Sequence, residues 1–164
     1  RLVSYKRIDL AVKAFNHLGF PLKVIGKGRE LGKLKKIAKK NIEFLGQLTD
    51  KQILGYYQSC KAVIFCGNED FGLVPLEAQA CGKPVIAYKV GGALETIEKG
   101  KTGEFFWPQT AESLIKVIEI FEKKKYNQNS CRKLAKKFDL SKFKIKFRKL
   151  VIKEWKNYKK NIIT

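Results

Sequence analysis

Hydrophobic and polar positions along the chain follow two alternating rhythms. Short runs of consecutive apolar residues alternate with longer stretches in which apolar positions recur at helical spacing. Ile8, Leu10, Ala11, Ala14, Phe15 and Leu18 share one helical face, and Gly19 stands where such a helix is capped. Residues 21–26 read as a short strand, and 29–40 as a lysine-rich helix with Leu31, Leu34, Ile37 and Ala38 turned inward. Residues 41–46 form the next strand. Thr49 offers an N-cap to a helix carrying Ile53, Leu54, Tyr56 and Tyr57. Residues 61–66 are a continuous apolar strand, and 75–81 a helix with Pro75 in its first turn. Another buried strand covers 84–88; Gly91-Gly92 then turns into a helix over 93–99. A short strand at 103–106 precedes helices over about 110–124, 128–138 and 141–160.

Strands that are apolar on both faces, alternating with amphipathic helices, specify an α/β protein. The expected architecture is a Rossmann-like parallel sheet flanked by helices, with a helical C-terminal third. The whole chain, 1–164, reads as a single domain with its core over about 1–125 and C-terminal helices over about 126–164. Residues 1–5 are loop-like and lead straight into the first helix, so the first strand is expected to be truncated. The sequence contains no methionine, which suggests a piece excised from a longer parent. Doubly wound sheets bind ligands at the carboxyl ends of their strands. The loops to search are therefore 1–7, 26–29, 46–49, 66–74 and 88–93.

Composition trims the list of functions. A hydrophobic content of 45% argues against disorder, and no apolar run approaches the length of a membrane span. The net charge of +20 comes from 35 basic against 15 acidic residues, but only five of the basic ones are arginine, the residue that reads bases and phosphates bidentately. Residues 1–110 hold 18 basic and 10 acidic residues, and 111–164 hold 17 and 5, so the excess sits in the last third. Solvated lysine faces explain most of it. Attraction to an anionic membrane or acceptor is the next reading, and no nucleic acid is expected. Cys60, Cys66, Cys81 and Cys131 form no C-x-x-C pair, and His17 is the sole histidine, which argues against structural zinc. Without a secretory signature the thiols are expected reduced, with Cys66 and Cys81 in the core. No nucleophile motif accompanies His17.

The richest segment is 66–85. A buried strand ends, a polar loop places Glu69, and Gly72 lets the backbone turn closely into a helix led by Pro75. The free amides of Gly72, Leu73 and Val74 would then converge on one spot, backed by the helix dipole. Glu69 and Glu77 would flank a polar ligand bound there, as carboxylates suited to sugar hydroxyls. Two plainer readings stay open: Glu77 as a capping-box glutamate at the third helical position, and Glu69 as a solvated loop acid.

The same residues resemble the E-x7-E motif of retaining GT-B glycosyltransferases, specifically the nucleotide-sugar enzymes of family 4. Residues 1–9, R-L-V-S-Y-K-R-I-D, are similar to the family's G-R-L-x-x-x-K-G-x-D signature without its leading glycine. Val24-Ile-Gly-Lys-Gly28 resembles its V-I-G-x-G loop, and residues 63–85 and 91–95 its remaining signatures. The wording is nearest to mannosyltransferase-like members. One departure stands out, Arg7 where the family carries glycine; it would either add a cation near the diphosphate or face solvent.

The resemblance implies a C-terminal donor-binding domain that moves a hexose, with mannose from GDP-mannose favoured, to a glycan or lipid-linked acceptor. Arg1 and Lys6 would contact the donor diphosphate, and Glu69 the transferred sugar. Phe71, Gly72 and Leu73 would offer backbone amides, and Glu77 would hold the ribose hydroxyls. Gly26, Gly28, Gly46 and Leu48 would border the base, and Gly91 and Gly92 would bring a helix start near the donor. No cofactor or metal is implied. The acceptor would bind an N-terminal domain outside this chain, so the chain alone should bind donor without turnover. A cytoplasmic location, peripheral at the inner face of a membrane, would suit such an enzyme. The alternatives are another GT-B enzyme using a UDP- or ADP-sugar, and a lysine-rich module binding nucleic acid or a membrane surface.

Overall fold

A computed structural model of the protein describes residues 1–162. The helices and strands follow in the order α1 (Ile8–Leu18), β1 (Leu22–Ile25), α2 (Leu31–Ile37), β2 (Ile42–Gly46), α3 (Asp50–Ser59), β3 (Val63–Phe65) and α4 (Leu73–Ala80). The series continues with β4 (Val85–Tyr88), α5 (Ala93–Thr96), β5 (Gly103–Phe106), α6 (Ala111–Glu122), α7 (Gln128–Ala135) and α8 (Leu140–Ile162). Single 3₁₀ turns at Ser4–Lys6 and Lys136–Phe138 precede α1 and follow α7.

Every strand pairing is parallel. β1 pairs with β2, and β3, β4 and β5 lie side by side in sequence order. Period-two alternation in β3–β5 sends successive side chains to opposite faces. Ile64, Ile86 and Phe106 join Leu10, Val12, Leu114 and Ile118 in the larger core, which lies against α1 and α6. Phe65, Val85 and Ala87 join Ala78, Ala93 and Ile97 in a second cluster under α4 and α5. A sheet covered on both faces favours mainly apolar strands, as β3 and β4 are; β5 also carries the buried Glu104, paired with Lys124 at 2.6 Å. The expected Rossmann-like arrangement is therefore present, with its helical C-terminal segment.

Three helices end earlier than their hydrophobic pattern suggests, and two of the ends have visible causes. The Asn16 side chain donates to the Ile37 carbonyl at 2.6 Å and accepts from the Lys39 amide at 2.8 Å, closing α2 at Ile37. Only Leu34 of α2 is buried, and Ile37, expected inward, is 42% exposed. α5 stops after Thr96 because the buried Gln79 amide takes the Thr96 carbonyl at 2.6 Å, and Ile97 then turns to extended backbone. α7 gives way at Ala135 to a 3₁₀ turn whose Phe138 ring packs edge-on against Phe71, centroids 5.8 Å apart.

The residues before α1 are more than a loop. Leu2 is only 2% exposed, its amide donates to the Lys27 carbonyl, and its own carbonyl accepts from Glu30. Cys66 is buried, and burial pushes its thiol up to about 12; Cys81, expected in the core, is only half-buried. The four thiols are free. His17 is exposed on α1. The apolar side chains Phe143, Phe147, Leu150, Val151, Trp155 and Tyr158 of α8 are all exposed. Among the described residues no helix is long and apolar enough to cross a membrane.

Candidate active site

The loop from Cys66 to Gly72 leaves the carboxyl end of β3 and is gripped from two sides. On one side stands the turn at Ser4–Lys6. A Cβ on Gly67 would lie 3.1 Å from the Lys6 Cα, so only glycine lets the two backbones meet comfortably. That approach carries the Lys6 Nζ to the Glu69 Oε1, 2.6 Å away, with each side chain 22% exposed. On the other side lies the start of α5. The Gly92 amide donates to the Glu69 carbonyl at 2.9 Å. A Cβ on Gly91 would strike that carbonyl, and one on Gly92 would collide with the Phe71 backbone. Gly91 and Gly92 thus act through close packing: they hold the backbone of Glu69 and Phe71.

Gly72 supplies the turn into α4, with φ of 79° and no side-chain cap on the amides that follow. Such a φ suits glycine alone among common residues. Phe71 and Leu73 are exposed on either side of it, Leu73 at 64%. The uncapped first turn of α4 therefore offers backbone N–H groups at a helix end that favours anions. Lys6 adds a cation to that neighbourhood, and Glu69 an acceptor.

Glu77 is placed differently from the sequence expectation. α4 begins at Leu73, so Glu77 is its fifth residue rather than its third; the first turn contains no acid and no capping box. Its exposed carboxylate accepts a hydrogen bond from the Tyr57 hydroxyl at 2.9 Å. Burial first, and Glu77 second, push the Tyr57 hydroxyl well above the ordinary phenol value, so it stays a proton donor. The capping-box reading fails, because α4 starts two residues earlier than Pro75 suggests.

The remaining expected residues divide between two places. Gly26 and Gly46 have φ of 127° and 71°, and the Gly26 amide donates to the Gly46 carbonyl at 2.7 Å, which closes the carboxyl ends of β1 and β2 together. Leu48 follows, half-buried. Gly28 has a packing reason of its own: a side chain there would run into the Leu2 backbone. Arg1 is exposed, and its backbone nitrogen stands 3.8 Å from where a Cβ on Gly26 would be. The N-terminal arm therefore spans both regions, with Arg1 beside the β1 loop and Lys6 beside the β3 loop.

Arg7 is half-buried and paired within the fold. It sits at φ of 50°, the left-handed conformation that a glycine would take readily. Its guanidinium is held by Asp9 at 3.1 Å and by Gln109, which itself donates to the Cys66 carbonyl at 2.9 Å. Burial works to raise the Asp9 carboxyl; the Arg7 bond and Lys13 overcome it and hold Asp9 below its ordinary value. No sequence pattern signals Gln109, 102 residues from Arg7, or Tyr57 as the partner of Glu77. In sequence, Tyr57 reads as one more apolar position of an amphipathic helix.

With this geometry in hand, similarity to known proteins is informative. The family described as glycosyl transferases group 1 matches residues 1–138. An uncharacterized glycosyltransferase of Methanocaldococcus jannaschii is 29% identical over 157 residues, covering 90% of this chain and 45% of that protein. A human alpha-1,3/1,6-mannosyltransferase is 35% identical over 111 residues, which is 63% of this chain and 26% of the relative. The solved structure of Anabaena HepE in complex with UDP and glucose superposes with a TM-score of 0.67 at 25% identity, over 82% of this chain and 39% of that one. The chain spans less than half the length of these relatives. From the arm that carries Lys6 to the turn that carries Phe138, then, the matched region takes in the whole site, and the chain belongs to the group 1 glycosyltransferases with a GT-B domain fold.

Proposed function

We propose that this chain is the donor-binding domain of a retaining, family 4 hexosyltransferase, with a nucleoside diphosphate sugar as donor and GDP-mannose favoured. The observation that carries the reading is the Lys6–Glu69 pair, held at the carboxyl end of β3 beside the uncapped first turn of α4. The leaving diphosphate gathers negative charge as the glycosidic bond breaks. Lys6, Arg1 and the α4 amides stabilise that charge without moving far, the type of pre-set electrostatics that contributes most to such reactions. Glu69 exchanges its partner, from Lys6 in the free chain to a hydroxyl of the transferred sugar. Glu77 takes the ribose hydroxyls, and Gly26, Gly46 and Leu48 border the base.

Two relatives support the donor class: the HepE complex was solved with UDP and glucose, and the human relative is a mannosyltransferase. A UDP- or ADP-sugar donor is the alternative. The acceptor, a glycan or lipid-linked sugar, binds a second domain outside this chain, so the chain alone binds donor without turnover. Calorimetric titration with GDP, UDP, ADP and GDP-mannose tests the reading. At least one ligand should bind at millimolar concentration or below and be lost with Glu77→Ala. No binding by any of the four refutes it.

A second contact follows from α8, whose exposed apolar side chains lie on a helix rich in lysine. That combination favours the surface of an anionic bilayer. Flotation with phosphatidylglycerol vesicles should recover the protein, and with phosphatidylcholine vesicles should not; equal recovery, or none, removes this contact.

A further inference from the structure

Glu77 is exposed on α4, and an exposed glutamate ordinarily samples several rotamers, all but one of which must be given up when it binds a ligand. One contact restrains it here. The Tyr57 hydroxyl donates to the Glu77 Oε2 at 2.9 Å, across 20 residues of sequence and from a different helix. The Tyr57 ring packs against the cluster of Phe65, Ala78 and Val85 beneath α4, so the donor is anchored by the core rather than carried on a flexible stem. A carboxylate offers about four acceptor positions on its two oxygens. Tyr57 occupies one of them on Oε2 and leaves Oε1 wholly available to a ligand. A vicinal diol needs two acceptors in a fixed relation, and a carboxylate with one oxygen pinned meets that need without further ordering.

We propose that Tyr57 is a positioning residue that orients Glu77 to recognise the vicinal diol of a ribose, making the site select ribonucleoside over 2′-deoxyribonucleoside diphosphates. This inference rests on the donor-site reading given above. Its consequence is a specificity that depends on a residue which itself touches no ligand. Tyr57 acts by lowering the ordering cost of Glu77, so its removal is felt only by ligands that use Glu77 fully.

The test is a calorimetric comparison on the 164-residue chain, using whichever of GDP, UDP and ADP binds tightest and the 2′-deoxy form of the same nucleotide. Wild type should prefer the ribonucleotide by about tenfold or more, the range of one hydrogen bond to a charged group. Tyr57→Phe keeps the packed ring and removes only the hydroxyl. It should weaken ribonucleotide binding by about three- to tenfold and leave the 2′-deoxy form nearly unchanged, so the ratio shrinks. In a Glu77→Gln background, Tyr57→Phe should narrow the ratio no further, because the two residues act as one unit. The ratio compares two ligands on one protein sample, so a partly unfolded variant does not distort it. An unchanged ratio in Tyr57→Phe, equal losses for both nucleotides, or full additivity with Glu77→Gln overturns the role of Tyr57 alone. Failure of wild type to bind any of the three diphosphates overturns the donor-site reading, and this inference with it.

Discussion

Replacing Glu69 by glutamine should separate diphosphate binding from sugar binding, and with opposite signs. In the free chain Lys6 is already satisfied: its Nζ lies 2.6 Å from the Glu69 Oε1, and both side chains are about four-fifths shielded at 22% exposure. An incoming diphosphate must draw Lys6 away from that partner. The gross Coulomb attraction at such a distance is about 6 kcal/mol at an effective dielectric constant of about 20. Desolvation and side-chain ordering cancel most of it, and a part-buried pair keeps a net value of about 1 kcal/mol. Glu69→Gln removes that competition, together with the repulsion between its carboxylate and the phosphates. GDP or UDP without a sugar should therefore bind about fivefold more tightly, the factor equivalent to 1 kcal/mol. The corresponding nucleotide sugar should instead bind more weakly, because the carboxylate that would accept the sugar hydroxyl is gone. Lys6→Ala should weaken both ligands by about tenfold or more. Titration calorimetry at low ionic strength reads all of these values. Tighter sugar-nucleotide binding in Glu69→Gln, or a large loss of plain diphosphate binding, would show that Glu69 serves the site in some other way.

Other substitutions test the packing around the site. Gly92→Ala drives a methyl group into the Phe71 backbone, so it should lower stability by more than about 2 kcal/mol and abolish nucleotide binding, read by denaturant unfolding and by titration. Arg7→Ala loses the bonds to Asp9 and Gln109 while keeping a side chain at φ of 50°, whereas Arg7→Gly loses the same bonds and relieves the backbone. Arg7→Gly should therefore be the more stable of the two by about 1 kcal/mol in urea unfolding, and the reverse order refutes the assignment of strain. Asp9 is held below its ordinary value of 3.8, so its contribution is fully present above that pH and is lost as pH falls through the lower folded value. Stability of Asp9→Asn should then vary less with pH in that acid window than wild type, and parallel curves would deny Asp9 the role.

The sequence was most legible where local chemistry and periodicity agree. Apolar runs such as Val63–Phe65 and Val85–Tyr88, bounded by turn residues, read as strands and are strands, and Thr49 with Gln52 forms a capping box at α3. The Glu69 loop and the Gly72 turn stood out because a left-handed residue between a buried strand and a helix leaves few alternatives. What stayed hidden depends on partners distant in sequence. Asn16 closing α2, Gln79 closing α5 and Tyr57 holding Glu77 are single side chains reaching across the fold, and no spacing rule announces them. The glycines at 28, 91 and 92 each also have a packing neighbour that excludes a side chain, a reason no sequence pattern shows. One helix starts earlier than the sequence suggests: Pro75 lies in the first turn of α4 as expected, but as its third residue, which shifts Glu77 out of that turn.

A crystal structure of the chain with its tightest-binding nucleoside diphosphate would test the central claim most directly. The account predicts the diphosphate against Lys6 and the first-turn amides of α4, the ribose hydroxyls on Glu77, and the Lys6–Glu69 bond broken. A nucleotide bound elsewhere, with Lys6 still paired to Glu69 and Glu77 touching only Tyr57, would contradict it.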